Sequence, residues 1–231
     1  MLFRSFFRQV HRKNEYYLRA RFYLGVTSHL MGRDKDSVSY FQDVLLRADE
    51  ATNAPWLIEM VHLNLGRMYF GKGDYLKAIE NYAKVPRESD NWLKSLFESS
   101  WAFFLMEKPN NSLGNIHTLH SPFFNSRFFP ETYVVEALNY LRLCRYDRVS
   151  NAMKNFKDRY ANVLVELKDL LKLFKSNPKQ LVRMVYEYQK GEIDENRRIV
   201  EILDALSRSD TYKQARRSEE HTSELQSPDH L

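Results

Sequence analysis

A chain of 231 residues, 43% hydrophobic and 14% aromatic, carries enough apolar side chain for a folded core, which excludes wholesale disorder. Its formal net charge of +5 is spread over mixed-sign stretches such as Lys84, Arg87, Glu88 and Asp90, the pattern of a solvated helical surface rather than of a nucleic-acid footprint. A single cysteine, Cys144, excludes an internal disulfide, seven Gly and seven Pro are too few to punctuate a many-stranded sheet, and no apolar run reaches the roughly 20 residues that cross a bilayer.

Arg4 and Arg8 interrupt the apolar opening and no small-residue cleavage site follows, so the first segment does not read as a secretory signal. Phe7 and Val10 lead on to Leu18 and Phe22, and 75 residues later Tyr82 and Val85 lead on to Leu93 and Phe97. In that register Arg12 meets Arg87, Glu15 meets Asp90, Tyr17 meets Trp92 and Arg19 meets Lys94, so size and charge recur together. A repeat of this kind means stacked modules rather than one closed core. Phe7 and Val10 read as the end of a second helix whose first helix is expected upstream of Met1. The densest basic patch, Arg4, Arg8, Arg12, Lys13, Arg19 and Arg21, is broken by Glu15.

The clearest unit spans residues 57–86. Met60, Leu63, Tyr69 and Phe70 recur at helical spacing, residues 71–74 break the helix, and Tyr75, Ala78, Ile79 and Tyr82 begin a second apolar stripe that Pro86 is expected to end. Gly66 and Ala78 predict the close approach of the two helices, because neither side chain holds the backbones apart. The preceding unit places Leu24, Gly25, Ser37, Phe41 and Val44 alike, with a breaker at residues 32–34. A third uses Ser99, Ser100, Phe103, Ser112, Ile116 and Leu119, beginning 34 residues after Leu65, and a fourth uses Ala137, Tyr140, Tyr146, Val149, Met153 and Phe156, 37 residues further on. Residues 49–55 and 121–129 read as loop insertions between units.

Leu65, Gly66, Tyr69, Ala78, Tyr82 and Val85 together resemble the signature of the tetratricopeptide repeat. The resemblance implies an all-α solenoid of antiparallel helix hairpins, whose first helices line a concave surface where a protein or peptide partner lies. Here that surface is expected to carry Phe22, Val26 and His29, then Leu63, Arg67 and Phe70, then Phe97, Trp101 and Phe104, then Val134, Leu138 and Leu141, with Trp101 and Arg67 as its hot spots. The same residues serve equally to pack against one another or against the C-terminal helices. One binding mode of the family clamps a carboxylate with Lys, Asn and Arg. Asn64 and Lys94 match it, whereas Phe22, Val26 and Glu98 stand where the donors are required, so the clamp is not expected.

His117 and His120, three apart, have no third ligand nearby and read as a helix-end pair rather than a zinc site, and Cys144 reads as a small packing residue near a turn. No phosphate loop, nucleophile elbow or framed carboxylate pair occurs, so neither an enzyme nor a cofactor is expected. Beyond Tyr160 the pattern changes. Leu164, Leu167, Leu170, Leu171 and Phe174 give one helix, Asn177 and Pro178 start a second with Leu181, Val182, Val185 and Tyr188 up to Gly191, and Ile199, Val200, Ile202, Leu203 and Leu206 give a third, which together cap the array.

Residues 217–231 resemble the translation of a sequencing adapter and are expected to be a non-native tail; without Arg217 and the four acids Glu219, Glu220, Glu224 and Asp229 the formal charge rises from +5 to +8. Residues 120–156, with Pro122, Phe123, Phe124, Phe129, Pro130, Cys144, Tyr146 and Phe156, resemble the large tetratricopeptide proteins of deltaproteobacterial cell envelopes, the group that includes gliding-motility proteins. That resemblance implies a periplasmic or outer-membrane-associated scaffold. A cytoplasmic regulatory domain of a larger enzyme or signalling protein is the alternative. The expected organisation is the end of a preceding repeat at 1–17, four repeats at 18–160, a helical extension at 161–216 and the tail at 217–231.

Overall fold

The computed structural model of the protein describes residues 2–51, 54–124, 127–176, 178–193, 200–208 and 212. The adapter-like tail, Asn177 and Ile199 lie outside them. Among the described residues the chain is all helical, and it divides into two compact units, Met1–Leu119 and His120–Leu231.

The first unit contains α1 (Leu2–Gln9), α2 (Tyr17–Leu30), α3 (Asp34–Leu45), α4 (Pro55–Gly71), α5 (Tyr75–Tyr82), α6 (Trp92–Leu105) and α7 (Pro109–Leu119). Each helix packs on the next in the chain, α2 against α3, α4 against α5 and α6 against α7, and α4 also touches both α2 and α6. Proline opens α4 and α7, where its missing N–H would find no helical partner in any case. Asp74 caps α5 by accepting from the Lys77 backbone N–H at 3.3 Å. The helix closes at Tyr82, four residues before the proline expected to end it, because Ala83 to Val85 tighten into a turn that still buries Val85.

The predicted close approach is met at equivalent places in the first two hairpins. A Cβ at Gly25 would lie 2.5 Å from the Phe41 ring, and one at Gly66 would lie 2.5 Å from the Tyr82 ring. Twelve residues after each glycine stands a small, fully buried residue, Ser37 or Ala78. In the third hairpin Ser100 and Ser112 hold these two places, and Ile116 takes that of the ring. Ser37 Oγ donates to the Gly25 carbonyl at 2.8 Å and Ser112 Oγ donates to the Ser100 carbonyl at 2.8 Å, so the second helix bonds back to the first at the same point. Phe41, Leu24 and Leu57 are wholly buried, and each such side chain stabilises the fold by about 2 kcal/mol relative to exposure.

The second unit contains α8 (Glu131–Arg142), α9 (Tyr146–Ser176), α10 (Pro178–Gln189) and α11 (Val200–Arg208). α9 runs unbroken for 31 residues through Tyr160, where the sequence pattern changes, so the helix of Val149 and that of Leu164 are one. Its later part joins α10 and α11 in a core of Tyr160, Val163, Val185, Ile202, Leu203 and Tyr212.

The helix-to-helix turn is the same in all four hairpins. Gly32, Gly73, Glu107 and Cys144 have φ of +72°, +77°, +59° and +56°. In each, two bonds close the preceding helix: Gly32 to His29 and Arg33 to Ser28, Gly73 to Phe70 and Asp74 to Tyr69, Glu107 to Phe104 and Lys108 to Phe103, Cys144 to Leu141 and Arg145 to Tyr140. This is the paired closure that a left-handed residue makes possible. Cys144 is therefore not the packing residue expected of it. It is exposed, at the left-handed position of the turn.

Beneath that shared turn the fourth hairpin departs from the expected face. Tyr146 is 63%, Met153 54% and Phe156 39% exposed, whereas Thr132, Val135, Asn139 and Ala152 are buried. Glu136 stands where the first two hairpins have Leu24 and Leu65, and branched Val149 stands where the others have Ser37, Ala78 and Ser112. Neither substitution permits the close seating of helix on helix that the small residues allow.

Candidate functional site

The first-helix residues of the first unit sort into three environments. Phe22, 5% exposed, packs against Phe41 and Trp56, and Leu63, 1% exposed, packs with Ala78 and Tyr82. Both belong to the core instead of to an open surface, which corrects the sequence expectation: the helical stripe that carries them turns inward at these two positions. Val26 is half-buried against the same core as Phe22. Phe70, Phe97, Trp101 and Phe104 are half-buried and remain partly accessible. Phe70 meets Tyr75 edge-on at 5.4 Å, and Trp101 meets Phe104 edge-on at 6.0 Å.

The charged members are engaged. Arg67 on α4 binds Glu98 on α6 through a fork, Nη2 to Oε1 at 2.6 Å and Nε to Oε2 at 2.9 Å. Burial works against the Arg67 charge, but the bond to Glu98 and its charge outweigh it and hold the guanidinium above its ordinary pKa. Burial, and then the Glu98 carboxylate beside its hydroxyl, push the Tyr82 phenol up. Glu98, which at the sequence level only counted against a carboxylate clamp, is thus the anchor that fixes Arg67. Asn64, a clamp match, spends its amide on the Met60 carbonyl at 2.7 Å. His29 lies 2.8 Å from Asp34, which also accepts Lys72 at 3.1 Å. The His29 bond first, then Lys72, hold the Asp34 carboxyl below its ordinary value.

In the second unit Val134 and Leu141 on α8 are 52% and 49% exposed, and Leu138 is half-buried. His117 is exposed at the end of α7, while His120 bonds Thr132 Oγ1 at 2.7 Å, stacks on Tyr133 at 4.2 Å and lies 3.6 Å from Glu136 Oε2. Thr132 donates to the Phe129 carbonyl at 2.6 Å, so its oxygen is left to accept from the His120 Nε2–H. Burial raises the Glu136 carboxyl, and its Oε2 has no hydrogen-bond partner. No group of three or more His, Cys, Asp or Glu that could hold a metal occurs among the described residues. Nor is any helix there long and apolar enough to cross a membrane.

The fold defines an all-α protein of helices packed on their chain neighbours. No protein-family model matches the chain, and no curated protein or solved structure matches it.

Proposed function

We propose that the hairpins of residues 17–119 are tetratricopeptide-like repeats that hold a partner polypeptide without catalysis, on the partly accessible aromatic face of Phe70, Phe97, Trp101 and Phe104. The observation that carries the reading is the recurrence, at Gly25, Gly66 and Ser100, of one seat for the second helix followed seven residues later by one left-handed turn. The contacts of α4 with both α2 and α6 add to it, since first helices that touch in series present one continuous face. Because Arg67 is already paired with Glu98, this face offers apolar and aromatic contact rather than a free cation. The partner it fits is an amphipathic or extended apolar segment.

Selection of peptides from a displayed library on the full chain tests this. The expected winners are rich in apolar anchors and lose about 2 kcal/mol of binding, roughly 30-fold, with Trp101→Ala. Failure to select any peptide, or equal affinity for the Trp101→Ala protein, overturns the reading. The envelope setting, a scaffold at the periplasm or outer membrane, is proposed on the resemblance of residues 120–156. Fractionation of cells that express the native gene should place the protein with the envelope, and recovery with soluble cytoplasm refutes the setting while leaving the peptide face to be judged on its own test.

A further inference from the structure

The second unit leaves one line of apolar side chains open. On α9 Tyr146, Met153, Leu164 and Leu171 are 63%, 54%, 53% and 52% exposed, while Ala152, Tyr160 and Val163 of the same helix are buried. Tyr146 and Leu164 are 18 residues apart in the chain, as are Met153 and Leu171, and that spacing is five whole helical turns. The two pairs are offset by seven residues, which turns one from the other by only about 20°. All four therefore share one stripe, which runs along the helix for about 37 Å at 1.5 Å per residue. α9 packs on α8 and α10, yet the stripe stays more than half exposed from end to end. Single exposed leucines are ordinary on a protein surface; four large apolar side chains in one line call for an occupant.

The order of the stripe selects that occupant. Its spacings of 7, 11 and 7 residues read the same from either end. A second α9 laid antiparallel on the first therefore sets Tyr146 against Leu171 and Met153 against Leu164, each twice, about a two-fold axis level with Asp158 and Arg159. Charge agrees with that direction. Along the open flank of the stripe, antiparallel pairing brings Asp147 of each copy beside Lys172 of the other, Ser150 beside Lys168, and Lys154 beside Val165. Acid meets base, and the remaining lysines meet neutral residues. A parallel pair would bring no Asp147 to a Lys172. Within one chain Asp147 lies 3.5 Å from Arg145 and 3.7 Å from Arg148, and Lys172 lies 3.4 Å from Asp169, but all of these are exposed pairs that bind weakly and leave their side chains able to take a second partner. The one unfavourable approach is that of Lys157 to its own equivalent near the axis, where the long stems let the two ammonium groups part.

We propose that α9 is a self-association helix, through which two copies of this chain pair antiparallel on Tyr146, Met153, Leu164 and Leu171. Together with Val165, 58% exposed on the open flank, these side chains each offer about 100 Å² of apolar surface. Two copies then cover about 1,000 Å², close to the lower limit of a specific interface before the lysine stems are added. The dimer is accordingly one of roughly micromolar dissociation constant. It does not rest on the peptide-holding reading, whose face belongs to α4 and α6 of the first unit, and it survives the failure of that reading.

Sedimentation equilibrium of the full chain from about 1 to about 200 μM tests the pairing, with a monomer–dimer equilibrium as the expected result. Leu164→Glu should raise the dissociation constant roughly tenfold or more while the far-UV dichroism of the chain is unchanged, since the side chain it replaces is exposed. Lys157→Leu should lower the dissociation constant, because the like charges at the axis are gone. The direction is read by crosslinking in a Cys144→Ser background. A mixture of the Met153→Cys and Leu164→Cys chains should join by an interchain disulfide on mild oxidation, and neither chain should join to itself. In the antiparallel register like positions stand 11 residues, about 16 Å, apart, which no disulfide spans. A chain that stays monomeric throughout, a dimer that Leu164→Glu leaves unchanged, or self-joining of either single-cysteine chain as fast as the mixture overturns the proposal.

Discussion

In the second hairpin the Tyr82 ring lies on the backbone of α4 at Gly66; in the fourth, Ala137 and Met153 hold the corresponding places and Met153 is half exposed. Both hairpins turn through a residue of positive φ seven positions after that reference residue, with the same pair of closing bonds. The turn and the seat are therefore separable. A left-handed residue and two backbone bonds close a helix whatever lies below it, whereas close seating needs small residues on both helices at once. Where Glu136 and Val149 stand in place of leucine and a small residue, the turn survives and the seat is lost.

The severest way to break the second hairpin is to give it the Cβ that the fourth already has. Gly66→Ala drives a methyl into the Tyr82 ring, and the expected loss is about 2–3 kcal/mol in urea unfolding, with Gly25→Ala behaving alike against Phe41. A Gly66→Ala protein that unfolds at the wild-type midpoint would mean that the helices are not seated on that glycine.

A gentler change sharpens what the hairpins share. Glu107 and Cys144 occupy a backbone region that costs a residue with a Cβ about 1 kcal/mol, while Gly32 and Gly73 occupy it freely. Cys144→Gly and Glu107→Gly should each raise stability by up to about 1 kcal/mol, measured by thermal melting with ligand-free protein. A loss in either would place some contact of the side chain above the backbone strain.

The smallest effect is a difference in sign with pH. The Asp34 carboxyl is held below its ordinary 3.8, so its contribution is present above that value and lost as pH falls through the folded pKa. Burial raises the Glu136 carboxyl above its ordinary 4.5, so its contribution is present below 4.5 and lost as pH rises through the folded pKa. Asp34→Asn should flatten the acid limb of the stability curve at some cost near neutrality, where His29 and Lys72 lose their partner. Glu136→Gln should remove the loss on going from acid to neutral pH and stabilise the protein at pH 7. Identical pH profiles for Glu136→Gln and wild type would show that the carboxyl is solvated and not buried.

Much of the local structure was legible in the residues. The breaks at Gly32 and Gly73, the proline-led start of α10, and the glycine seats at Gly25 and Gly66 all follow from spacing and from what glycine and proline do to a backbone, whereas Pro55, read as part of a loop insertion, opens α4. Trp101 and Phe104, set side by side by the repeat resemblance, meet edge-on and are half-buried. Phe22 and Leu63 were not separable from them, because the same stripe serves a core and a surface, and the helices packed on it, the second of each hairpin and for Phe22 also α4 through Trp56, determine which residues are covered.

What the sequence alone determined, then, is where helices begin and end and where two of them can meet without a side chain between, since both depend on residues near in the chain. What only the tertiary structure decided is the pairing of Arg67 with Glu98 across 31 positions, the sharing of Asp43 by Arg21 and Arg47, the unbroken length of α9 and the inward turn of Glu136. Each of these joins groups whose chemistry is ordinary in isolation. Their burial and charge acquire meaning only when packing removes water from between them.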